Sequence, residues 1–196
     1  ELLRKSEKPL VVLGGSGWSE RACRQVQSFI EKNKLPVGCS FRRQDLFDNH
    51  HPNYVGDIGI GINPKLSEMV KESDLLLVIG ARLGEMTTSG YTLIQAPTPR
   101  QKLIHIHPGS NELGRVFQGS VMINSDIEEA VDALVSLPDI GATWGAWLKT
   151  GNDNYRANVI PVSSPGDVDL GEVMTVLRGL LPRDGGITNG AGNFSG

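Results

Sequence analysis

Residues 9–22 read PLVVLGGSGWSERA. Pro9 to Leu13 run without a polar break into Gly14-Gly15-Ser16-Gly17. The period then changes, with Ala22, Cys23, Val26, Phe29 and Ile30 recurring at helical spacing and Ser19 placed to cap. This is a buried strand that enters a glycine turn and leaves it as a helix. The rest of the chain repeats the unit.

LPVGCS (35–40) reads as a second short strand, and Asn63-Pro64 opens a helix whose apolar stripe is Leu66, Met69 and Val70. DLLLVIGA (74–81), KLIHIHP (102–108) and SVMIN (120–124) supply further strands. Asp126 and Glu129 form a capping-box pattern before Ile127, Ala130, Val131, Leu134 and Val135. Such alternation predicts a three-layer α/β/α fold, Rossmann-like and doubly wound, with a parallel sheet of about five to six strands.

From about Leu137 the texture changes. Residues 138–167 are rich in Gly, Pro, Asn and Ser and read as a linker with one short helix around Trp144 to Lys149. Beyond it Asp169 and Glu172 form another capping pattern. Leu170, Val173, Val176, Leu177 and Leu180 make a stripe that Pro182 ends, and Gly186, Ile187 and Thr188 read as a short strand. The expected organisation is a central nucleotide-binding-like domain at 1–140, a linker at 141–165 and the start of a further unit at 166–196, too short to bury a core alone.

The length of 196 residues suits one domain, or one domain plus a fragment. Hydrophobic content of 39% and a net charge of -3, with both signs interspersed, exclude disorder and a basic nucleic-acid surface. Apolar runs such as LLLVIGA are too short to cross a bilayer, and Glu1 opens the chain with neither a methionine nor a signal-like region. A soluble chain cut from something larger is expected, with no membrane partner. Cys23 and Cys39 lack a CxxC partner, which points to a reduced, cytoplasmic setting.

The first glycine turn has two readings. Free N–H groups at a helix start can hold a pyrophosphate, or the glycines serve only to pack helix on strand. The dinucleotide fingerprint G-x-G-x-x-G is partial, since Gly15-Ser16-Gly17 is followed by Glu20 and the second strand ends in Phe41-Arg42-Arg43, not in an acid. A helix terminus contributes about 0.3–2 kcal/mol to an anion, whereas micromolar affinity requires about 8. A loop alone therefore makes no nucleotide site. Arg42 and Arg43 either meet a 2'-phosphate or are simply solvated. His105 and His107 share one strand face, yet no Cys, Asp or Glu at metal spacing joins them, and His50-His51-Pro52 reads as a turn. No nucleophile elbow is present and no catalytic constellation forms.

Taken in order, LGGSGWSERA, LPVGCSFRRQDLFDNHHPNYVGDIGIG, ESDLLLVIGARLGEMTTSGY, KLIHIHPGSNELGR and INSDIEEAVDAL resemble the successive blocks of the central domain of thiamine diphosphate-dependent enzymes, the acetolactate synthase-like group. The closing LRGLLPRDGGITNGAGNFSG resembles the opening helix and strand of that family's C-terminal, diphosphate-binding domain. The resemblance implies a parent enzyme acting on 2-oxo acids by decarboxylation or carboligation, with thiamine diphosphate and Mg2+. Its N- and C-terminal domains cradle the cofactor, and its active sites form within a dimer or tetramer. It places Ala191, Gly192, Asn193 and Phe194 at the cofactor's phosphates, where glycine lets the backbone come close. It also implies that this chain, lacking the GDG metal motif and the glutamate-bearing N-terminal domain, is architectural and catalyses nothing by itself.

Some family members hold FAD or ADP in this domain. The matching positions are Gly14, Gly15, Gly80, Arg82, His107 and Asp126, but Gly84, Met86 and His107 stand where the flavin pattern has acidic and basic residues. The alternative is a stand-alone module for NADP, ADP or FAD. A related NAD-consuming deacylase fold lacks its zinc cysteines here.

Overall fold

A computed structural model describes residues 1–163, 165–182 and 185–188. Six strands form one sheet: β1 (Pro9–Leu13), β2 (Val37–Ser40), β3 (Tyr54–Ile58), β4 (Leu75–Ile79), β5 (Lys102–His107) and β6 (Val121–Asn124). Their order is β3-β2-β1-β4-β5-β6, and every pair is parallel. The three-layer doubly wound architecture is thus the one the alternation predicts, and the strand order reverses between β1 and β4. β3 escapes the periodicity because Gly56, at φ +121°, breaks its apolar pattern.

Alternation along the central strands divides the core. Val11, Leu13, Leu75, Leu77 and Ile79 face one layer, with α1 (Glu20–Lys32) and α3 (Ile127–Val135). Leu10, Val12, Leu76 and Val78 face the other, with α2 (Pro64–Glu72) and the loop residues Leu93, Ile94 and Phe117. Ser19 caps α1 by accepting from Ala22 N–H, and Asn63 caps α2 by accepting from Lys65 N–H. At the opposite ends of the strands Asp74 accepts from the backbone N–H groups of Glu7 (2.7 Å) and Lys8 (3.1 Å) and from Ser6 Oγ.

Two expectations need correction. The short helix around Trp144 to Lys149 extends over Gly145–Asn158 as α4. Its second half, Asn-Asp-Asn-Tyr, has poor helix propensity, and tertiary contacts override it. Trp144, 2% exposed, donates to the carbonyls of Asn33 and Lys34. Trp147 donates to the Pro9 carbonyl, and Asn152 donates to the Tyr54 carbonyl (2.7 Å) while Tyr155 packs edge-on against Tyr54. Gly186, Ile187 and Thr188, read as a strand, form none among the described residues.

The chain divides into two compact units, Glu1–Tyr155 and Arg156–Gly196. In the second, α5 (Leu170–Leu180) is capped by Asp169, which accepts from Gly171 and Glu172 N–H, and Pro161 lies against Gly171. No residue of α5 is buried, and the stripe of Leu170, Val173, Val176 and Leu180 is exposed. No helix among the described residues is long and apolar enough to cross a membrane.

If Trp144 anchors α4 as described, Trp144→Ala removes a filled core position and should destabilise the first unit by about 3–5 kcal/mol. Chemical denaturation measures this; a loss below about 1 kcal/mol would show that the anchor is dispensable.

Candidate functional site

In open α/β sheets ligands collect beyond the carboxyl ends of the strands, at the point where strand order reverses. Here that point is the pair of turns after β1 and β4. Gly15 and Gly80 are both left-handed (φ +71° and +75°), which suits glycine. A Cβ on Gly14 would strike Ser40 Oγ and the Ala81 side chain. One on Gly15 would strike the Gly80 carbonyl, and one on Gly80 would meet the Gly14 carbonyl and Ile127 Cδ1. The two turns therefore interlock, and Ile127, 2% exposed, packs against them at the start of α3.

The polar groups of the first turn also have partners within the chain. Trp18 Nε1 donates to the Gly14 carbonyl (2.8 Å), and Arg43 donates to the Gly15 carbonyl and pairs with Asp45 (3.1 Å). Ser19 Oγ donates to Glu128 on the first turn of α3. Arg21 bridges Glu128 (2.6 Å) and Asp132 (2.9 Å), and Gln25 adds a bond to Asp132 (2.7 Å). The Ser19 hydrogen bond, and then Arg21, hold Glu128 below the usual carboxylate range; Arg21 and Gln25 do the same for Asp132. A carboxylate from α3 thus stands at the start of α1, where an anionic ligand would otherwise be attracted. Asp126 takes the N-cap position of α3 as expected, but its side chain makes no capping hydrogen bond, a correction to the capping-box reading. The first turn of α3 is tied instead through Glu128.

Arg42 is exposed, at φ +60°, with its guanidinium 5.1 Å from the Phe41 ring. Cys39 is fully buried and burial pushes its thiol up to about 12, so it is no nucleophile at neutral pH. Burial also raises the carboxyl of Asp57, its register partner on β3.

A second group lies beyond β4 and β5. His105, 3% exposed, donates from Nε2 to the Ala81 carbonyl (2.9 Å). His107 Nδ1 accepts from Gly109 N–H (2.9 Å), and the two imidazole rings are 5.9 Å apart. No group of three or more His, Cys, Asp and Glu placed to hold a metal ion occurs among the described residues. Arg82 Nε donates to Glu112 (3.0 Å), which also accepts from Arg115 (2.8 Å). Sequence reasoning names Arg82 but misses Glu112, Arg115 and Tyr91, which sit in loops without periodicity. Together with His105 these residues line a cavity of about 70 Å³. Of the predicted positions, Gly14, Gly15 and Gly80 come together at the interlocked turns, while Arg82 follows β4 and pairs with Glu112, and His107 ends β5. Ala191, Gly192, Asn193 and Phe194 lie outside the described residues.

The fold is a doubly wound parallel sheet with glycine turns after its first and fourth strands. The chain belongs to the family described as "Thiamine pyrophosphate enzyme, central domain", which it matches over residues 1–134. It is similar to the acetolactate synthase isozyme 2 large subunit of Escherichia coli, at 25% identity over 68% of this chain and 24% of that protein. It is similar also to the acetolactate synthase large subunit of Parasynechococcus marenigrum, at 24% identity over 93% of this chain and 30% of that one. A third relative is 3D-(3,5/4)-trihydroxycyclohexane-1,2-dione hydrolase 2 of Bacillus cereus, at 24% identity over 69% of this chain and 20% of that protein. The chain thus spans under a third of the length of these relatives.

Burial, first, holds His105 below its ordinary value of 6.5, the neighbouring His107 adding to it against the opposing hydrogen bond to Ala81. It is therefore neutral in the fold and takes up a proton on unfolding, so its contribution is complete above pH 6.5 and fades as pH falls through the lower folded value. The thermal midpoint should drop from about pH 7.5 to about 5.5, and His105→Gln, which keeps a donor toward Ala81, should flatten that slope. Equal slopes in the two proteins would remove His105 from the account.

Proposed function

We propose that the protein containing this chain is a thiamine diphosphate-dependent enzyme acting on 2-oxo acids by decarboxylation or carboligation, with this chain as its central domain. The carrying observation is the match of residues 1–134 to the central-domain family, together with an alignment to an acetolactate synthase large subunit over 93% of the chain. Thiamine diphosphate, when bound, supplies the carbanion stabilisation that breaking or joining a bond beside a ketone requires.

The role of the described residues is architectural. The interlocked turns make the first unit a rigid block between an N-terminal and a C-terminal cofactor-binding domain of the same chain, within a cytoplasmic dimer or tetramer. Residues 191–194 would approach the cofactor's phosphates, and Mg2+ would be held by residues other than those described. Gly14, Gly15 and Gly80 serve the packing of β1 on β4, and Asp126 starts α3. Ile127 against these glycines and Glu128 at the start of α1 support reading the first turn as a packing joint more than as a site for FAD or ADP.

Purified chain incubated with pyruvate, thiamine diphosphate and Mg2+ should show no turnover, and its spectrum should show no flavin absorbance. Sustained release of carbon dioxide would overturn the architectural reading, and co-purified flavin would overturn the packing role of the glycines.

A further inference from the structure

Arg82 follows β4, while Glu112 and Arg115 lie in the loop after β5. Two guanidinium groups share one carboxylate whose side chain is 14% exposed, so the cluster retains one uncompensated positive charge. Arg82 uses Nε for Glu112, and no group among the described residues accepts from its two terminal nitrogens. Paired guanidinium nitrogens are the donors with which arginine grips a carboxylate or phosphate in two parallel hydrogen bonds.

These arginines open on the cavity of about 70 Å³, whose other walls include Leu83, Tyr91, His105 and Phe117. That volume is well below the roughly 300–1,000 Å³ of pockets for larger ligands. It suits a headgroup of a few heavy atoms. The wall bearing Tyr91 is strained, since Ser89 (φ +49°), Gly90 (φ +66°) and Tyr91 (φ +63°) are left-handed in succession. Fully buried Thr88 enforces this, its Oγ accepting from Tyr91 N–H (3.1 Å) and donating to the Gly84 carbonyl (2.8 Å). A bulky side chain in that region is uncommon, and such strain gathers at ligand clamps.

We propose that Arg82 and Arg115, with Tyr91 as a wall, bind a small oxyanion, a carboxylate or phosphate on a body of few atoms. The inference does not depend on the thiamine reading.

The test is thermal unfolding of the purified chain at constant ionic strength with pyruvate, inorganic phosphate or ADP. At least one of the two small anions should raise the midpoint saturably, with a dissociation constant of about 1 mM, and the more effective one identifies the source of the oxyanion. Arg82→Lys keeps the charge but loses the paired donors and should weaken binding about tenfold. Tyr91→Gly relieves the left-handed strain and should raise the midpoint of the unliganded chain while weakening the anion effect. A purely structural cluster would not separate the two. No saturable shift with either anion, unchanged binding in Arg82→Lys, or ADP acting at lower concentration than phosphate would each overturn the proposal.

Discussion

The structure depends on the close approach of two turns. Gly14 and Gly15 after β1 and Gly80 after β4 occupy space in which no side chain fits, and this brings Ile127 onto the point where the sheet changes direction. Burying that isoleucine is worth about 1.5–3 kcal/mol, whereas the ion pairs around Arg21 lie in solvent that screens them. The apolar contact therefore sets where α3 begins, and the Ser19, Arg21, Glu128 and Asp132 network follows from it. A turn that in sequence admits a phosphate becomes, in three dimensions, a joint.

The two ends of the sheet divide the work. At the start of the strands Asp74, just before β4, gathers the backbone of Glu7 and Lys8, just before β1. At the other end lie the interlocked glycines, the buried His105 and the shared carboxylate of Glu112. The central strands β1 and β4 between them are buried and apolar on both faces.

Where burial is regular, the fold was legible in the sequence. β1 and β4 are continuous apolar runs, α1, α2 and α5 begin at the expected caps, and five ordered blocks carry the family resemblance. β3 was hidden by Gly56 and by an Asp57 that a buried strand would not ordinarily carry. The length of α4 was hidden because its helicity comes from Trp144, Trp147 and Tyr155 meeting distant backbone and rings, which no local pattern records. At the site, Gly14, Gly15 and Gly80 were visible as turn residues, but their mutual contact was not. Glu112 and Arg115 were invisible, since they sit in a loop without period and Glu112 meets Arg82 thirty residues away. Asp126 marked the right position, while the tie fell to Glu128.

The distribution of tryptophan has a practical meaning. All three, Trp18, Trp144 and Trp147, belong to the first compact unit, and α5 carries none. Intrinsic fluorescence of this chain therefore reports the melting of the first unit, in which Trp144 is the most deeply buried of the three indoles. The second unit is spectroscopically silent at those wavelengths and can be followed only through the helical signal of α5 in circular dichroism.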